Sequence, residues 1–210
     1  MWCDTESVRK VIGITAEDAS DEDLLFFITN AQQELLEEVT IPVKDGKVVG
    51  LIDGSNREFY LGFYPVADRD FDLEATTADV SVYSWTDTGD LDTKTSVTVE
   101  SIDPLEGRII LSSPPSTSVE ALTADYRYFT NEVTYDLLSE ACIFLAAAKW
   151  TRSEFLMIPD SWTLGGIRIR HTRPYTELLS EYQSILSIIR RMPYRKGQVE
   201  PREILRRGLS

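Results

Sequence analysis

The chain has 210 residues, 42% of them hydrophobic, and a formal net charge of −14. That length supports a buried core in one domain, or in one domain with a sizeable insertion. The N-terminus lacks the apolar stretch of a signal peptide, and no apolar run approaches the roughly 20 residues that cross a bilayer, so a soluble chain without a cleaved signal is expected.

The first forty residues read as two helices. Val8, Val11 and Ile12 give a short apolar face that stops at Gly13, a residue suited to the left-handed turn after a helix. Ser20 and Asp23 read as a capping box. Leu24, Ile28, Ala31, Leu35 and Val39 then repeat at spacings of four and three, one face of a helix that Pro42 is expected to stop. Glu34, Glu37 and Glu38 fall mainly off that face.

From residue 43 to 129 the pattern turns to β. Val48 to Ile52 precede an Asp53-Gly54-Ser55-Asn56 turn, and an aromatic run follows from Arg57 to Val66. Val80, Val82 and Trp85 come next, then Val97, Val99 and Ile102, then Arg108 to Leu111 and Leu122 to Phe129. About six short strands with polar turns suggest a small barrel or sandwich. A long helix is predicted over residues 133–155, apolar nearly all round near Ala141–Ala148, as in helices packed between others. Pro159 and Gly165-Gly166 mark a loop. Pro174 suits the first turn of a last helix, whose apolar face is Tyr175, Leu178, Leu179, Tyr182, Ile185, Leu186 and Ile189, and Pro193 ends it.

Charge divides the chain. Residues 161–210 carry ten basic against four acidic side chains, net +6, and residues 1–160 carry a net −20. An acidic body with a basic, proline-broken end suggests a part that plugs into something else. The acidic body argues against wrapping a nucleic-acid backbone. Six Lys against fifteen Arg and thirty-five acidic residues resembles the balance of proteins from halophilic organisms.

Catalytic patterns are weak. His171, the single histidine, sits between Arg170 and Arg173, a poor setting for a general base. Asp87-Thr88-Gly89 matches the triplet of aspartic proteases but lies in a polar run with Asp90 and Asp92, so a hairpin turn is the expected reading and a hydrolase using Asp87 the weakest of the functions considered. Asp68, Asp70 and Asp72 alternate like the start of a calcium loop. The sixth position is Leu73 rather than Gly and the twelfth is Asp79 rather than Glu, which leaves at most a weak cation site. Cys3 and Cys142 are too few and too far apart to suggest a disulfide framework or a metal knuckle, and Cys142 reads as a small core residue. No catalytic, cofactor or metal residue is assigned, and the expected class is not an enzyme.

The whole order resembles the head–tail connector, or adaptor, proteins of tailed viruses. The residues that carry it are Ser20-Asp21-Glu22-Asp23-Leu24-Leu25, Phe59-Tyr60-Leu61 with Tyr64-Pro65-Val66, and Ile102-Asp103-Pro104 with Gly107-Arg108-Ile109-Ile110-Leu111. Ala124-Asp125-Tyr126-Arg127-Tyr128 and the helix from Leu137 to Trp150 complete the set, across roughly residues 5–190. The β insertion here is longer and more acidic than that pattern. The expected fold is α+β: mainly an α-helical bundle (1–42 and 131–192) with an inserted small antiparallel β barrel or sandwich (43–130) and an extended C-terminal arm (193–210). The resemblance implies a homo-oligomeric ring, usually of twelve copies, under the portal protein at the virion neck. The ring would be made in the host cytoplasm and join a tail or second adaptor ring. DNA would pass without specific binding, and neither a membrane nor a cofactor would be involved. Arg190, Arg191, Arg195, Lys196, Arg202, Ile204, Leu205, Arg206 and Arg207 are the expected portal- or subunit-binding residues, Arg being suited to bidentate pairing with carboxylates. The alternative is a cellular nucleic-acid-binding module that uses the same Arg-rich tail.

Overall fold

The structure is a computed structural model that describes residues 1–131, 133–155, 161–164, 167–170 and 174–192. Along the chain run α1 (Thr5–Ile12), α2 (Asp21–Val39), β1 (Thr40–Val49), β2 (Glu58–Leu61), β3 (Ser81–Trp85), β4 (Lys94–Val97), β5 (Val99–Asp103), β6 (Arg108–Leu111) and β7 (Ala121–Phe129). They are followed by α3 (Tyr135–Phe155), β8 (Ser161–Leu164), β9 (Ile167–Arg170) and α4 (Pro174–Arg191), and short 3-10 turns cover Thr77–Asp79 and Leu91–Thr93. The chain divides into two compact units. One comprises residues 1–38 and 133–192; the other contains the β-rich residues 39–131.

In the helical unit, local chemistry sets the helix ends. The Asp4 carboxylate accepts the Ser7 N–H at 2.7 Å and so caps α1. Gly13 then adopts φ 78°, where a side chain is disfavoured, and its N–H donates to the Arg9 carbonyl at 2.8 Å. Ser20 Oγ accepts the Asp23 N–H at 3.2 Å and donates to its carboxylate at 2.5 Å, opening α2 with the expected pair. Leu24, Ile28, Ala31, Leu35 and Val39, the predicted face of α2, are all buried. α3 packs against α1 and α4. Its Leu138, Ala141, Cys142, Leu145, Ala146, Ala147, Ala148 and Thr151 are buried, so its broad apolar girth is covered within a single chain. Tyr182, Ile185, Leu186 and Ile189 bury the inner face of α4, each large aliphatic contributing roughly 1.5–3 kcal/mol. The Pro159–Gly166 stretch, expected as a loop, contains β8, which pairs antiparallel with β9 from Ser161↔Arg170 to Leu164↔Ile167. Alternation in Trp162-Thr163-Leu164 and Ile167-Arg168-Ile169 around a Gly-Gly pair is a hairpin signal.

Among the described residues of the second unit, seven strands form one antiparallel sheet in the order β4-β3-β7-β1-β2-β6-β5. Its two ends, β4 and β5, follow one another in the chain with only Thr98 between them, so the sheet curls into a nearly closed barrel. The expectation of a mainly helical bundle with a small insertion is therefore overturned: among the described residues there are four helices and a seven-stranded, nearly closed barrel, and the unit that holds the barrel is about as long as the helical one. The barrel begins earlier than the expected residue 43, with β1 starting at Thr40. α2 ends at Val39, and Pro42 lies inside β1 opposite Arg127 rather than stopping a helix. Proline is tolerated there because β2 pairs only with Val48 and Val49, leaving the opposite edge at Pro42 without a ladder partner.

The barrel interior follows from period-two alternation. Leu122, Ala124, Tyr126 and Tyr128 of β7 point inward with Phe59, Leu61, Ile109 and Leu111. Val99 and Ile102 are three residues apart yet both pack on this core. A bulge between Val99 and Ser101 adds the residue that restores the register. A second bulge lies between Val43 and Gly46, where the Asp45 N–H donates to the Asp125 carboxylate at 2.6 Å.

Candidate interaction surface and acidic loop

The helical unit presents its chemistry on α2. Glu34 and Glu38 lie one turn apart and each reaches a different helix: Glu34 pairs with Lys149 of α3 at 2.6 Å, and Glu38 with Arg190 of α4 at 2.6 Å. Both pairs are half-exposed, worth about 0.2–1 kcal/mol apiece, so they set helix register more than stability. Tyr182 lies within their field. Its phenol is pushed up to about 12 by burial first, then by the charges of Glu38 and Glu34.

Beside the Glu34–Lys149 pair is a shallow groove of about 340 Å³ lined by Phe26, Phe27, Asn30, Glu34, Lys149 and Arg152. Phe26 is 65% exposed, and its ring meets Phe27 edge-on at 5.3 Å. The helix turns this aromatic to solvent while its opposite face is buried, and Glu34, Lys149 and Arg152 line the groove with it. Such a patch can accept an apolar partner while the charged residues fix orientation.

Of the residues expected to bind a portal or neighbouring subunit, Arg190 and Arg191 occupy the last turn of α4. Their charge suits the negative end of the helix dipole. Arg190 is engaged by Glu38, and Arg191 is exposed. Arg195, Lys196, Arg202, Ile204, Leu205, Arg206 and Arg207 lie outside the described residues, as does His171.

The acidic loop between β2 and β3 is assembled by folding rather than by the Asp68-x-Asp70-x-Asp72 alternation alone. Carboxylate oxygens of Asp68, Asp70 and Asp79 lie within 4.8 Å of one another, with Asp68 and Asp79 fully buried. Asp68 accepts the Phe71 N–H at 2.6 Å, the Leu73 N–H at 2.9 Å and the Asp72 N–H at 3.3 Å. Asp79 accepts the Arg69 N–H at 2.5 Å and the Thr76 N–H at 2.7 Å. Both buried carboxylates are thus committed to backbone donors and staple a loop in which Phe71 and Leu73 take positive φ. Loss of solvation raises Asp79, and it raises Asp70 together with the charge of Asp79. Asp72, read in the sequence as the third member, instead caps its own turn through the Glu74 N–H at 3.0 Å.

Asp87 has a comparable local role: its carboxylate accepts the Gly89 N–H at 2.8 Å in the turn between β3 and β4. No helix among the described residues is long and apolar enough to cross a membrane. Compared with models of known protein families the sequence matches none, and no curated protein matches it.

Proposed function

We propose that this chain is a structural head–tail connector of a tailed virus, forming a homo-oligomeric ring under the portal that continues the DNA channel and joins the capsid to a tail or second adaptor ring. The observation that carries this reading is the exposed Phe26 beside Phe27 in a charge-lined groove on α2 and α3. The broad apolar girth of α3 does not supply the contact between copies, because it is covered within one chain. Phe26, the most exposed of the large apolar helix residues Val11, Phe26 and Ile188, offers a helical face suited to side-by-side packing. The body's net −20 suits a channel wall that does not grip phosphate, and the Arg-rich end suits carboxylates on the portal or an adjacent copy.

Two preparations test the proposal. Particles assembled without this chain should keep their capsids and lack joined tails; normal tailed particles would overturn it. Phe26→Glu should leave the monomer's melting temperature within the small range of a surface change and abolish its incorporation at the neck, since one buried charge per interface opposes packing. Steeply salt-dependent DNA binding by a chain that stays monomeric would favour the nucleic-acid module instead.

A further inference from the structure

Cys3 and Cys142 are 139 residues apart in sequence, yet their Sγ atoms approach to 2.9 Å and both side chains are buried. Two neighbouring features hold Cys3 in place. Trp2 is 1% exposed and anchors the chain before it, and Asp4 after it caps α1, which packs against α3. Cys142 is fixed on α3 among Leu138, Ala141, Leu145 and Ala146, which are all buried.

We infer that Cys3 and Cys142 form an intramolecular disulfide when the chain meets a small-molecule disulfide, fastening the N-terminal segment to α3. The step is thiol–disulfide exchange. The Cys3 thiolate attacks the reagent's S–S bond, making a mixed disulfide and releasing one reagent thiolate. The Cys142 thiolate then attacks the Cys3 sulfur and expels the second reagent thiolate. Two electrons pass from the protein thiols to the reagent, whose two thiolates take up the two protons. In the closed state the contact with Cys3 and then burial push the Cys142 thiol up, so it stays protonated. Exchange therefore begins when the terminal residues open and completes as they close again. Nothing in this chemistry depends on the neck role.

The test uses the full chain, purified reduced and incubated with oxidised glutathione, then alkylated under denaturing conditions, digested and analysed by mass spectrometry. The expected result is one cross-linked peptide pair containing Cys3 and Cys142 within a monomer, with neither thiol alkylated. The melting temperature should rise by roughly 10 °C, because the link closes a long loop, and a reductant should reverse the rise. Cys3→Ala and Cys142→Ala should each lack both effects. If either variant fails to fold, the wild-type peptide map decides alone. Two alkylated thiols, only glutathione adducts, or links between separate chains would overturn the assignment.

Discussion

Gln32 is buried on α2 at 2% exposure, and its Nε2 donor finds no acceptor among the described residues. An unsatisfied buried donor costs about 1–3 kcal/mol, and Met has a similar length without that donor. Gln32→Met should therefore stabilise the chain by about 1 kcal/mol, read as a higher midpoint in chemical denaturation; a lower midpoint would mean that the amide is satisfied. Asp70 offers a test with the sign of pH in it. Its proton is held more tightly in the folded state than at the ordinary Asp value of 3.8 because of lost solvation and the nearby charge of Asp79, and Asp79 is raised by burial. Groups shifted this way favour folding most fully below pH 3.8, and that contribution is lost as pH rises through their raised range. Asp70→Asn should therefore raise the melting temperature at pH 7 and leave it nearly unchanged at pH 3.5. Equal gains at both values would rule out charge repulsion as the cause. Neither feature announces itself in the sequence. Gln32 falls between apolar positions of a helix, and Asp79 joins Asp68 only after a loop with two positive-φ residues has formed.

At the scale of elements, what the sequence shows depends on how far apart the cooperating residues lie. The ends of α1 and α2 and the buried stripe of α2 are set within four residues at a time, and Gly13, Ser20 and the Leu24-to-Val39 repeat place them directly. The size of the barrel is a long-range property. β1 pairs with β7 some eighty residues later, and Pro42 hides its first half by looking like a stop signal. β4 and β5 read as one strand because a single residue separates them, and their separate pairing with β3 and β6 is what brings the sheet round. The α2 groove was hidden for a related reason: nothing in the spacing of Phe26 and Phe27 says which ring stays in water. Close packing where β1 leaves the barrel gives a direct test. A Cβ added at Gly50 would meet the Phe59 ring at 2.2 Å, and Phe59 is fully buried in the core. Gly50→Ala should cost about 1–3 kcal/mol by overpacking, measured as a lower denaturation midpoint with an unchanged slope. A cost near zero would show that the ring can swing aside.

Across the whole molecule the charge split has consequences that no single contact carries. A net −20 over residues 1–160 puts like charges within each other's field, and screening weakens that repulsion over about 10 Å at 0.1 M salt. The melting temperature should therefore rise between dilute buffer and molar sodium chloride; a flat or falling curve would count against a halophilic origin for this composition. The basic end acts in the other direction. Residues 193–210 hold five basic side chains against Glu200 and Glu203, and the buried residues of α4 end at Ile189, before that segment begins. Truncation after Met192 should therefore leave the melting temperature of the free chain nearly unchanged. If the chain docks on a portal as proposed, each Arg–carboxylate contact of this segment would contribute only about 1 kcal/mol when partly desolvated, but copies in a ring would bind as linked sites, so small terms would combine into a large difference in attachment. Truncated chains should assemble with one another while associating with capsids far more weakly at low salt, a difference that narrows as salt rises because screening weakens the ion pairs of the full chain. Capsids that retain the truncated chain as firmly as the full one would show that the positive charge at this end plays no part in docking.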